Sequence, residues 1–160
     1  MRTRNRATQF VIAAAVVAGS MHGYIAIADG LTGQEAVDAR QHNLKDLGGA
    51  FKAVRDQTRK SQPDMTQVAQ AAEQIEQLAA DMPRWFPKGS EPSEDLETDA
   101  KAEIWSDPKG FQTVLAKFQQ EAPKLLTLAK ANDVDGLKKQ VAAVGGACKG
   151  CHDKYRVPQD

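Results

Sequence analysis

Late in the chain, Leu137, Val141, Val144, Cys148, Cys151 and Tyr155 follow one another at steps of four and three without a slip. Residues spaced this way share one face of an α-helix. The stretch therefore does not read as a strand, and any chemistry its cysteines carry is delivered from a single helical face. The same period recurs upstream. Val37, Leu44, Leu47, Phe51 and Val54 form one apolar face, Val68, Ile75, Leu78 and Met82 a second, and Phe111, Val114, Leu115, Phe118, Leu125 and Leu126 a third. No alternating run of useful length breaks the pattern. Four helices of roughly 20 residues, each about 30 Å long and joined by three connections, predict an all-α antiparallel four-helix bundle.

The ends of these helices carry their own signals. Thr32-Gly33-Gln34-Glu35 has the form of a capping box. Asp64, after Pro63, can cap the second helix, which Pro83 and Pro87 close. Ser106-Asp107-Pro108 opens the third with a capping side chain ahead of a proline. Pro123 lies inside that helix and should kink or break it. Asn132 or Asp133 caps the fourth. Between the second and third runs a polar loop of about twenty residues, holding Trp85, Phe86 and an acidic run from Glu91 to Asp99; a loop this long in a small domain is usually functional or flexible.

The chain has 160 residues, with 21 Lys+Arg against 21 Asp+Glu, and its neutral total hides an asymmetry. Arg2, Arg4 and Arg6 precede an apolar run from Phe10 to Ala18, then a looser stretch ending in Ala26-Ile27-Ala28, and no acid occurs before Asp29. This is the order of a secretory signal, with cleavage expected before Asp29. An uncleaved anchor is the alternative, but Gly19, Ser20, His22 and Gly23 interrupt the stretch from Phe10 to Ile27. Residues 1–28 are thus expected to be a signal peptide and 29–160 an exported domain with no membrane span. Without the first 28 residues, 18 basic residues face 21 acidic ones, a net charge of −3. Such a chain has no broad basic face for nucleic acid.

The chemistry is concentrated at Cys148-Lys149-Gly150-Cys151-His152. Cys-x-x-Cys-His is the attachment signature of c-type haem. Two thiols can add to the two haem vinyl groups and the adjacent imidazole can bind the iron, because positions i, i+3 and i+4 share one helical face. Three other readings stand beside it. A disulfide between Cys148 and Cys151 would close a tiny loop and gain little entropy. A redox dithiol usually accompanies a βαβ pattern, which is missing here. A structural zinc site needs four ligands, and after Asp29 the good nitrogen and sulfur donors are Cys148, Cys151, His42 and His152.

With these residues in view, the sequence resembles the cytochrome c′ family, four-helix-bundle proteins with one covalent haem near the C-terminus. The resemblance covers Gln34 to Arg156. It rests on Ala39-Arg40-Gln41-His42-Asn43-Leu44, on Ala102-Glu103-Ile104-Trp105-Ser106-Asp107, and on Cys148-Lys149-Gly150-Cys151-His152-Asp153-Lys154-Tyr155-Arg156. Typical members carry a proline where this chain has Ala102. The resemblance implies that Cys148 and Cys151 form the thioethers and that His152 is the proximal iron ligand. It implies that Arg40 and Gln41 contact the haem propionates, as a guanidinium recognises carboxylates well. Asp99 aligns with another haem-contacting position, and Arg156 with a basic residue near the proximal face.

Leu44 matches the position facing the iron opposite the proximal histidine, where some low-spin relatives carry Met. Leucine has no lone pair, so the resemblance implies a five-coordinate, high-spin iron in an apolar distal pocket that admits nitric oxide or carbon monoxide. Gly48 and Gly49, one turn on, could let the helix approach the ring. His42 lies roughly 200° around the helix from Leu44 and should face away. Met65 and Met82 read as packing residues. Trp85, Phe86 and Trp105 could cover the haem edge or seal the bundle's end. A periplasmic gas-binding protein is therefore expected, with an electron carrier between membrane and soluble redox partners as the alternative. No constellation supports an enzyme. Many relatives are homodimers through their first two helices, so monomer and homodimer both stand as expectations.

Overall fold

The computed structural model describes residues 30–158. The signal-peptide reading of residues 1–28 lies outside them. Five α-helices and one 3₁₀ turn follow in order: α1 (Gly33–Gln57), α2 (Met65–Asp81), the 3₁₀ turn (Met82–Trp85), α3 (Glu103–Ser106), α4 (Pro108–Lys130) and α5 (Val134–Tyr155). The four long helices form the expected bundle. Among the described residues the only ladder pairing is one isolated antiparallel bridge, Ala100 with Arg156. No described helix is long and apolar enough to cross a membrane.

The apolar faces read from the sequence meet in the core. Val37, Val54, Val68, Ile75, Leu125, Leu137 and Val144 are fully buried. The core is continuous from α1 through α2 and α4 to α5, each helix packed on the next, whereas α1 and α5 barely touch each other. The bundle is thus left open along the α1/α5 seam.

Three caps form as expected. The Asp64 carboxylate accepts from the Thr66 and Gln67 amides, Asp107 from Gly110 and Asp133 from Gly136. Asn132, in the left-handed region at φ 53°, ends α4 rather than capping α5. One expectation fails. Thr32 is the N-cap residue of α1, but its side chain makes no capping bond. The Gly33 amide donates instead to the Gly89 carbonyl at 2.8 Å, so the long loop meets that need from outside. Pro123 does not break α4, which is helical on both sides of it. Phe118, Ala122, Leu125 and Leu126 are buried around it, so tertiary packing offsets the missing donor.

Candidate haem site

A cavity of about 640 Å³ opens on the α1/α5 seam. Cys148, Cys151 and His152 line it from α5, and Arg40, Gln41, Leu44 and Gly48 from α1. Asp99 reaches it from the long loop and Arg156 from the end of α5. The cavity therefore collects every site residue singled out in the sequence. Its remaining wall is largely apolar, including Phe51, Phe86, Phe111 and Phe118.

The α5 residues sit as the helical period demands. Cys148 and Cys151 are half-buried one turn apart, and His152 follows at the exposed edge. Burial pushes both thiols up, Cys151 to about 11 with the nearby Cys148 adding to the effect. That is the opposite of the lowered value a reactive redox dithiol needs. Among the described residues no three His, Cys, Asp or Glu side chains cluster to hold a metal, so a closed zinc site finds no ligand set there. Burial, then the Arg156 charge, lowers the His152 imidazole, favouring the neutral ring that can donate a lone pair.

On α1 the two expected propionate contacts differ. Gln41 is exposed and donates to the Glu97 carbonyl at 2.9 Å. Arg40 is only 2% exposed, so it is no solvated surface residue. Its guanidinium donates to the Trp85 carbonyl, to the Ser90 hydroxyl at 3.0 Å, to the Ser90 carbonyl and to the Thr98 hydroxyl at 2.9 Å. It also lies 5.0 Å from the Phe86 ring centroid and 5.7 Å from that of Trp105. Burial lowers its pKa to about 10, which still leaves it charged at neutral pH. Ser90 and Thr98 escaped the sequence reading because isolated hydroxyls in a polar loop carry no periodic signal.

Asp99 and Arg156 pair with each other at 3.4 Å. Their backbones are tied as well, the Val157 amide donating to the Asp99 carbonyl and the Lys101 amide to the Tyr155 carbonyl. Hence Asp99 has its own cationic partner. Leu44 is 37% exposed, one of two large apolar side chains left open among the described residues, and it opens onto the cavity. His42 is outside the lining and pairs instead with Asp46 at 3.4 Å. Met65 packs against the core, while Met82 both belongs to the core and reaches the cavity. Of the aromatic trio, Phe86 lines the cavity, Trp85 is fully buried, and Trp105 supports Phe86 edge-on at 6.2 Å. Gly48 lines the cavity and a Cβ there would meet nothing within 4 Å; Gly49 is not part of the wall.

These residues fit a haem c. One helical turn offers two thiols and an imidazole, the walls are apolar, and a buried guanidinium has no carboxylate partner among the described residues. A propionate would supply that missing charge.

Comparison with known proteins agrees. The family model described as Cytochrome C' matches residues 35–156. Cytochrome c′ of Pararhodospirillum photometricum is 33% identical over 120 residues, covering 75% of this chain and 94% of that protein. Among solved structures, a ferrous variant of cytochrome c prime from Alcaligenes xylosoxidans with bound NO superposes with a TM-score of 0.72 at 31% identity, covering 81% of this chain and 99% of that one. A cytochrome c′ with ligand-controlled dimer dissociation gives a TM-score of 0.74 at 25% identity over the same shares. The chain belongs to the cytochrome c′ family, whose cofactor is a single covalently bound haem c.

Proposed function

We propose that this protein is a periplasmic binding protein for nitric oxide and carbon monoxide, with a five-coordinate haem and no enzymatic step. Cys148 and Cys151 would hold the haem through thioethers, and His152 would supply the proximal imidazole. The haem then supplies an iron centre that takes one diatomic ligand. Leu44 is the observation that carries the reading. It reaches the cavity from α1, the helix facing His152 across the seam, and it brings no donor atom. His42, the nearest alternative imidazole, is tied to Asp46 outside the cavity. A solved relative with bound NO supports the same chemistry.

The charged rim favours gas binding over electron shuttling. Around the attachment turn Lys149 pairs with Asp153, Lys154 with Asp107 and Arg156 with Asp99, so these six charges cancel and give a redox partner little steering at that turn. An optical spectrum of the reduced protein with and without nitric oxide tests the reading. A high-spin spectrum that changes on NO addition is expected; a low-spin spectrum insensitive to NO would leave the electron carrier. Export is tested by the mass of the native protein, expected to begin at Asp29, and a mature chain starting at Met1 would refute it.

A further inference from the structure

Asp107 does more than cap a helix. Its Oδ1 accepts from the Gly110 amide at 3.0 Å, which is the cap of α4. Its Oδ2 accepts from two donors on a different helix, Lys154 Nζ at 2.7 Å and the Tyr155 hydroxyl at 3.2 Å. Both belong to the last turn of α5, which also carries Cys151 and His152. The two bonds are not equal. Lys154 and Asp107 are exposed, and such an ion pair contributes little. Tyr155 is 2% exposed, its ring is edge-on to Phe111 at 5.3 Å, and Phe111 is edge-on to Phe86 at 4.9 Å. A buried phenol aimed at a carboxylate is a fixed point.

Gly110 bears the same imprint. A Cβ there would stand 2.6 Å from the Tyr155 hydroxyl and 2.1 Å from Asp107 Oδ2, so a side chain at this position would displace the phenol or the carboxylate. Beyond Tyr155 the helix ends, the Arg156 amide closing on the His152 carbonyl. The His152 turn is therefore the last of α5, where a helix otherwise frays.

We propose that Asp107 is a positioning residue for the haem ligand: through Tyr155 it clamps the terminal turn of α5 to the start of α4 and so fixes the orientation of His152. The proposal rests on the reading of His152 as the iron ligand.

Asp107→Ser separates the two roles, because serine caps a helix about as well as aspartate but lacks a second oxygen to reach α5. Tyr155→Phe removes the hydroxyl and keeps the ring. In the holoprotein, both variants should shift or broaden the iron–imidazole stretching band in the resonance Raman spectrum of the reduced form. Amide hydrogen exchange at Cys151–Tyr155 should rise roughly tenfold, the factor that losing a hydrogen bond of ~1.4 kcal/mol to a charged group gives, with exchange in α2 unchanged. The double variant should be no worse than either single one. Unchanged band and exchange in Asp107→Ser would overturn the proposal and leave Asp107 a cap alone. If the unmodified protein shows no iron–imidazole band, the ligand reading itself has failed, which is a different result.

Discussion

Arg40 brings a permanent charge into a place where only hydroxyls, carbonyls and aromatic faces receive it. A lysine there would be a point charge without the fork that reaches Ser90 and Thr98 together. Arg40→Met should therefore lower stability by about 3 kcal/mol, because buried acceptors lose their donors at ~1–3 kcal/mol each; Arg40→Lys should recover less than half of it. The denaturant midpoint measures both, and an unchanged midpoint in Arg40→Met would mean the loop holds itself. Leu44 makes the opposite case, an apolar side chain left open on the cavity wall. Leu44→Met should convert the resting spectrum from high-spin to low-spin by offering a thioether, and should slow nitric oxide binding because the gas must compete with sulfur. His42→Ala should leave the spectrum unchanged. In the haem-free chain Leu44→Ala should destabilise by roughly 2 kcal/mol or less, below a fully buried leucine, since the side chain is 37% exposed there.

At the scale of the helices, α4 runs through Pro123 at a local cost, since no amide there can donate to the Gln119 carbonyl one turn back. Pro123→Ala restores that donor and relieves the ring, gains set against the greater freedom of the unfolded chain. A net stabilisation of roughly 1–2 kcal/mol is expected, read as a higher melting temperature with an unchanged haem spectrum; a lower melting temperature would show that the proline is required for the packing of Ala122 and Leu125. The proline also shows where a sequence stops being legible. Local rules identified the four long helices, because a sustained apolar period survives any tertiary context, and they located the caps at Asp64, Asp107 and Asp133. They misjudged the Thr32 cap, where the deciding partner, Gly89, comes from a distant segment, and they did not decide whether Pro123 would kink or break α4. The four-residue α3 is too short to show a period. Within the site, Cys148, Cys151 and His152 were legible from spacing alone. Arg40, Leu44 and Asp99 needed the family resemblance, since each alone reads as an ordinary helix or loop residue. The contacts of Ser90 and Thr98 with Arg40, and of Asp107 with α5, are visible only where the loop closes over α1 and α5 meets α4.

For the whole molecule, acid and haem removal act on different parts of the stability. Hydrogen bonds from Lys154, Lys52 and Lys124 hold Asp107, Asp56 and Glu121 respectively below the usual carboxylate range. The folded chain thus binds protons more weakly at these groups than the unfolded chain does. Their contribution is complete above the unfolded values near pH 4 and is lost as pH falls through the folded ones. All three are at the surface, so together they should lower the melting temperature only modestly below about pH 4, less so in high salt. A separate decline at about pH 6 is expected from His152, which burial holds below its ordinary value and which therefore takes up a proton more readily in the unfolded chain. Loss of the haem reaches further. If the whole cavity of about 640 Å³ were a closed, dry void, the usual ~24 cal/mol per Å³ would amount to ~15 kcal/mol, as large as the full stability of a domain this size. The seam is open to water, so the real cost is smaller, but Leu44 and the phenylalanine wall would then face solvent. Replacing both Cys148 and Cys151 with Ala should release the haem to acidic organic extraction, whereas the unmodified protein should retain it. The haem-free chain should keep its far-ultraviolet helical signal, lose its near-ultraviolet signal, bind a hydrophobic dye and melt over a broad range. Buried residues away from the cavity, among them Val54, Val68, Leu125 and Leu137, still link α1 to α2, α2 to α4 and α4 to α5, so helices should survive while the α1/α5 seam loosens. A haem-free variant that melts as sharply and as late as the parent would show that the bundle needs no occupant in the seam.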